Sequence, residues 1–125
     1  MILTDDKRVY FENIIKNRLS KKRYNHSLNV AKTAIYLADK YNGNKEKAEI
    51  AGLLHDITKD DNYFSQLQMC EKFGIILTTQ EKASPAVLHA ITGAAYIENE
   101  LKISDIRIIG AVKYHTTGRK NMALL

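Results

Sequence analysis

Apolar residues recur at steps of three and four along most of the chain, and the strict alternation of a half-buried strand is nearly absent. The pattern predicts six helices. Thr4 caps the first, over about Asp5 to Leu19. The second covers about Lys22 to Tyr41 and stops ahead of Gly43, the residue type best suited to leaving a helix. Asn44 caps a third, over about Lys45 to Ile57. Asp60 or Asp61 caps a fourth, over about Asn62 to Phe73, closed by Gly74. Ile75-Ile76-Leu77 has no second strand to pair with and reads as loop. Ser84 then Pro85 joins a capping hydroxyl to a residue whose missing N–H is harmless in the first turn, and that helix runs to about Leu101. Ser104 caps the last, about Asp105 to His115, which Thr116-Thr117-Gly118 breaks. The expected fold is an all-α bundle of about six helices.

Composition sets the scale. The 125 residues suffice for one domain, and 45% hydrophobic against 26% charged residues is the balance of a folded chain rather than a disordered one. No apolar run approaches the roughly 18 residues that span a bilayer. Charges crowd the first eight residues, where a signal peptide needs apolar ones. Single Cys70 excludes an internal disulfide and fits a reducing compartment; beside Met69 and Phe73 it reads as a packed core residue. These features together predict a single-domain cytoplasmic protein with no membrane partner.

The formal net charge of +5 is concentrated early. Lys7, Arg8, Lys16, Arg18, Lys21, Lys22 and Arg23 precede Tyr24, against Asp5, Asp6 and Glu12. Such a surface suits an anionic partner. It lacks the interleaved aromatics of a single-strand nucleic-acid platform, so nucleic acid is not expected. The charge permits a nucleotide or polyphosphate without pointing to one, and on composition alone a solvated basic surface is the plainer reading.

The chain has four histidines, one on each of four predicted helices. His26 shares a face with Val30, Ala34 and Leu37, and His55 with Ala48 and Ala51. His89 shares one with Ala86, Gly93 and Ile97, and His115 with Ile108, Ala111 and Val112. All four are expected to face the core. One core histidine needs only a hydrogen bond. Four of them beside Asp56, among Ala, Val, Leu and Ile, need more polar partners than such surroundings supply, at about 1–3 kcal/mol for each group left unsatisfied. A shared metal site answers this, since neutral imidazoles and a carboxylate suit iron, manganese, cobalt or zinc. Ala86, Ala90, Gly93 and Ala94 would let helices close around it. Within Gly52–Lys59, His55 and Asp56 stand about 100° apart on a helix, so the carboxylate can bridge two ions while the imidazole binds one. Lys59, three residues after Asp56, lies on the same face one turn on, within reach of a metal-held phosphate.

Every histidine falls in one of four ordered blocks: Arg23-Tyr24-Asn25-His26-Ser27, Ala51-Gly52-Leu53-Leu54-His55-Asp56-Ile57-Thr58-Lys59, Leu88-His89-Ala90-Ile91-Thr92-Gly93-Ala94 and His115-Thr116-Thr117-Gly118. In these blocks the chain resembles the HD-domain phosphohydrolase superfamily, named for its adjacent His and Asp, and within it the YqeK-like symmetrical bis(5'-nucleosyl)-tetraphosphatases. The resemblance spans essentially the whole chain. It implies a single HD domain over residues 1–125 whose helices surround a metal site, and an enzyme that hydrolyses diadenosine tetraphosphate to two ADP. It also implies two divalent ions, usually iron, with manganese, cobalt or zinc as alternatives. Carried over by position, His26, His55 and a bridging Asp56 would hold one ion, and Asp56, His89 and His115 the other. Arg23, Lys59, Thr116, Thr117 and Arg119 would bind phosphate oxygens. The family pattern continues into a further helix whose Asp completes the first ion. Here no acidic side chain follows His115, so the domain is expected to lack those C-terminal helices. Water would then fill the first ion's remaining positions, and the uncovered apolar surface would favour a homodimer.

Two ions about 3.5–4 Å apart can clamp a phosphate and generate a bridging hydroxide for in-line attack on phosphorus. Asp56 would bridge the ions and orient the nucleophile, while Arg23 and Lys59 stabilise charge on the non-bridging oxygens; these three are the expected catalytic residues. Two alternatives stand beside this reading. One is an HD phosphohydrolase for a nucleoside monophosphate or cyclic nucleotide, which the metals alone do not distinguish. The other is a nucleotide-binding module without turnover. A basic RNA-binding helical domain ranks last, because it leaves the four histidines unexplained.

Overall fold

The computed structural model describes residues 3–115, and among them there are seven helices and no strand. They are α1 (Asp5–Arg18), α2 (Lys21–Lys40), α3 (Lys45–Leu54), α4 (Tyr63–Lys72), α5 (Thr79–Ala83), α6 (Pro85–Asn99) and α7 (Ile106–Lys113). Thr4, Asn44 and Ser84 cap α1, α3 and α6 as their side-chain chemistry predicts, each accepting from a backbone N–H in the first turn. Ser20 caps α2 and Asp105, not Ser104, caps α7. Gly74 closes α4 at φ +70°, but the residue that turns the chain out of α2 is Asn42 at φ 59°, ahead of the expected Gly43.

Helix α3 is the axis of the fold, buried at every position from Ala48 to Leu54 between α1, α2 and α7. It lies so close to α2 that a Cβ added at Gly52 would stand 2.7 Å from Ala31 Cα. The main core joins Ile15, Leu53, Leu54, Ile57, Ile97 and Val112. A smaller cluster under α4 and α6 holds Cys70, Leu88 and Ile91, so Cys70 is the buried, free, packed thiol expected of it. Arg8 ties α1 to α3 by forking onto both oxygens of buried Glu49.

Four expectations need correcting. A short fifth helix, Thr79–Ala83, raises the six expected helices to seven; Thr78 and Glu81 form a reciprocal capping box there. Helix α3 ends at Leu54 rather than near Ile57, and residues 55–60 form successive turns. These turns are closed by bonds from Ile57 N to Leu54 O, Lys59 N to Asp56 O and Asp61 N to Thr58 O. Helix α7 stops at Lys113, which leaves His115 just beyond it. Finally, α2 buries Ser27, Ala31 and Ala38, not the stripe His26, Val30, Ala34 and Leu37. The small-residue stripe lets the two backbones approach, and the bulkier stripe is rotated outward.

Candidate metal centre

Asp56 sits in the first turn after α3, fully enclosed, with His55 at the helix end beside it. His26 comes from the second turn of α2, His89 from the first turns of α6 and His115 from the end of α7. Each oxygen of Asp56 meets its own pair of imidazoles. Oδ2 lies 3.4 Å from His55 Nε2 and 3.9 Å from His26 Nε2. Oδ1 lies 3.2 Å from His89 Nε2 and 3.8 Å from His115 Nε2. In both groups the donor atoms fall within 4.8 Å of one another, so each could hold one ion. The exposures differ. The His89 side chain is 3% exposed and that of His26 51%, which corrects the expectation that all four histidines face the core.

Backbone carbonyls assign the tautomers. The Nδ1 of His55 faces Gly52 O at 2.7 Å, that of His89 faces Pro85 O at 3.3 Å and that of His115 faces Val112 O. A carbonyl only accepts, so each Nδ1 carries the proton, and in the neutral ring Nε2 presents a lone pair. Those lone pairs converge on a carboxylate, and His89 Nε2 stands 3.2 Å from His115 Nε2. Acceptors packed against acceptors repel unless a cation or extra protons lie among them. Burial lowers the pKa of His115 in spite of its bond to Val112 and so favours the neutral ring. Burial pushes the Asp56 carboxyl up, but hydrogen bonding and charge from His55 and His89 in their protonated forms outweigh it and hold the group well below the usual carboxylate range. When a cation takes the place of those protons, the carboxylate stays ionised. An ionised carboxylate among neutral imidazoles is the protonation state that a divalent ion requires. Four nitrogen donors with one carboxylate suit a transition metal better than magnesium or calcium.

Arg23 stands at the same edge as His26, with Nη1 3.8 Å from Asp56 Oδ2. Lys59 is held to the site through its backbone N–H on Asp56 O, and this part-buried residue makes no ion pair among the described residues. Thr116, Thr117 and Arg119, expected to bind phosphate, lie outside the described residues.

Sequence reasoning missed the groups that hold the Asp56 turn in place. Arg18 donates to Ile57 O at 3.1 Å, pairs with Asp61 at 2.6 Å and stacks on the Tyr96 ring. Ser20 N–H caps Asp60 at 2.8 Å. On the α6 side, the Thr58 hydroxyl reaches His89 O and Thr92. Two threonines inside the quoted motifs were the available signal; Arg18 was legible only as charge.

The pattern of the HD domain family matches residues 23–123. The symmetrical bis(5'-nucleosyl)-tetraphosphatase of Staphylococcus aureus is 42% identical over 109 residues, covering 87% of this chain and 56% of that protein. Its counterpart from Bacillus subtilis is 35% identical over 113 residues, covering 89% of this chain and 59% of the relative. The chain thus spans rather more than half the length of the curated relatives it matches. A crystal structure described as a predicted HD superfamily hydrolase involved in NAD metabolism, from Clostridium acetobutylicum, superposes with a TM-score of 0.87 at 35% identity. That match covers 99% of this chain and 64% of the other.

Proposed function

The chain belongs to the HD domain family, and on that premise we propose that it is a metal-dependent phosphohydrolase that splits diadenosine tetraphosphate symmetrically into two ADP. The observation that carries this is the carboxylate of Asp56, which offers one oxygen to each of two imidazole pairs. We assign His26, His55 and Asp56 to one ion and Asp56, His89 and His115 to the other. Iron is the metal we propose, in keeping with a donor set rich in nitrogen. A divalent metal bound there supplies Lewis acidity toward a phosphoryl oxygen and toward water.

The chain's own residues do the rest. Asp56, ionised and enclosed, keeps the two donor pairs at a fixed separation. Three imidazoles keep their Nε2 lone pairs inward because their Nδ1 protons are committed to backbone carbonyls. Arg23 is part-exposed and among the described residues its side chain makes one long contact, to Asp56, so we assign its other N–H groups to phosphate oxygens. Lys59, whose backbone N–H bonds to Asp56 O, is assigned as the second phosphate-binding cation, and Thr116, Thr117 and Arg119 belong to the same proposal. The names of the relatives support a dinucleoside polyphosphate as substrate. A cytoplasmic setting fits the unpaired, buried Cys70. A homodimer fits the half-open apolar stripe of α2.

The test is metal analysis of the anaerobically purified 125-residue chain, with turnover of diadenosine tetraphosphate followed on the same sample. About two irons per chain and ADP as sole product are expected. ATP with AMP as products would overturn the symmetrical cleavage. A chain with neither metal nor turnover would be a nucleotide-binding module.

A further inference from the structure

The turn that carries Asp56 is not a helix. Its own backbone is closed only by the bonds Ile57 to Leu54, Lys59 to Asp56 and Asp61 to Thr58, and none of these sets how far it stands from α6. Yet His89, across the gap on α6, must meet Asp56 at ligand distance. Three buried polar side chains join the two elements. The Thr58 hydroxyl donates to His89 O at 2.9 Å and lies 2.9 Å from Thr92 Oγ1. The single Thr92 proton is shared between Thr58 Oγ1 and Gln66 Oε1, 3.1 Å away, with His89 O of its own helix at 3.3 Å, and the Gln66 amide donates to Asp61 O at 2.8 Å. The turn is therefore pinned at residues 58 and 61, and α6 is held at residues 89 and 92, one turn apart.

We propose that Thr58, Thr92 and Gln66 are positioning residues whose hydroxyl–amide chain sets the separation of the Asp56 carboxylate from the His89 imidazole. The proposal rests on reading Asp56 and His89 as ligands of one ion. Thr58 and Thr92 are wholly enclosed and Gln66 nearly so. Valine has the shape of threonine and would fill the same space, so filling the core does not call for these hydroxyls. A satisfied buried network fixes one register between packed elements, which an apolar contact does not. The carbonyl that Thr58 holds belongs to His89 itself, so displacement of the turn moves the ligand atoms relative to each other.

Thr92→Val in the full 125-residue chain removes the central hydroxyl and keeps the volume. Cobalt(II) titrated anaerobically is expected to bind about 10–100-fold more weakly than to wild type, the usual effect of disturbing a group that orients a ligand. The melting temperature of the metal-free chain reports the structural cost separately. Amide exchange at Lys59 and Asp61 is expected to speed up about tenfold, as the turn loses its anchor. Thr92→Ser, which restores the hydroxyl, should recover both. Wild-type cobalt affinity with wild-type exchange in Thr92→Val would overturn the proposal, as would a loss that Thr92→Ser does not repair. Should Thr92→Val not fold, Gln66→Met decides by the same readings. A wild-type chain that binds no cobalt would sink the metal reading instead, and exchange at Lys59 and Asp61 would still decide whether the network holds the turn.

Discussion

The two donor groups around Asp56 share one carboxylate but little else. The inner group, with His89 and His115, is enclosed: those side chains are 3% and 20% exposed, and both rings are oriented by backbone carbonyls. The outer group has His55 well covered but His26 half in solvent, with Arg23 beside it. Enclosure strengthens electrostatic interactions and excludes water, whereas openness admits a substrate and leaves coordination positions free. Under the proposed function the contrast divides the work: the inner group would retain its ion, and the outer one would present an ion to a phosphate.

Removing the shared element should have the largest effect. Asp56→Ala is expected to lose both ions and all measurable hydrolysis while helical circular dichroism stays at its wild-type value, since Asp56 lies in a turn beyond α3. Retained turnover in that variant would remove the dinuclear mechanism. The next effect separates the groups. His89→Ala should lose the inner ion and, by opening a cavity in the α6 face, also lower the melting temperature. His26→Ala should leave one ion in place, bind the other about 10–100-fold more weakly and hardly change stability. Metal per chain after dialysis against a chelator tests the difference. If His26→Ala strips both ions, the two groups are not separable and the contrast fails.

That contrast was only partly legible beforehand, and the reason is geometric. Helical periodicity places His26, Val30, Ala34 and Leu37 on one face, but it does not say which face meets a neighbour. On α2 the choice fell to Ser27, Ala31 and Ala38, because small side chains let α3 approach until Gly52 touches the opposing backbone. The expectation that four histidines converge on Asp56 came from a shortage of polar partners among apolar neighbours. The structure gathers them there, although His26 is half in solvent and the other three find backbone carbonyls for Nδ1. The short α5 went unread although Thr78 and Glu81 spell a capping box, since five residues carry too little periodicity. Thr58 and Thr92, and Thr92 and Gln66, meet across 26 or more residues, and spacing along the chain carries no trace of these contacts.

At the open edge, single cations should matter less than ligands. Lys59→Ala is expected to lower kcat by about tenfold to a hundredfold, below the loss typical of an enclosed oxyanion donor, because the residue is only partly buried. Metal content should not change. An unaltered kcat/KM would make Lys59 a surface charge, and a drop in bound metal would mean that it supports the ligands rather than the substrate.

The smallest effect is expected where α7, which delivers His115 to the inner group, begins. Asp105 caps it, accepting from Arg107 N at 2.9 Å with one oxygen and from Lys47 Nζ of α3 at 2.7 Å with the other. The hydrogen bond from Lys47 holds the Asp105 carboxyl below its ordinary value of 3.8, against a smaller opposing effect of burial. A carboxyl depressed on folding contributes stability that is fully present above its unfolded pKa and is lost as pH falls through the folded one, here below about pH 4. Asparagine caps as well as aspartate, so Asp105→Asn should cost only a few tenths of a kcal/mol at pH 7, the worth of a part-exposed pair. It should also flatten the decline in stability below pH 4. Asp105→Ala loses the cap as well, about 1 kcal/mol more. Denaturant titrations of both variants between pH 3 and 7 separate the two contributions. If asparagine costs as much as alanine, the ion pair to α3 anchors α7. If only alanine weakens the chain, the cap does, and Lys47 adds nothing that the inner group depends on.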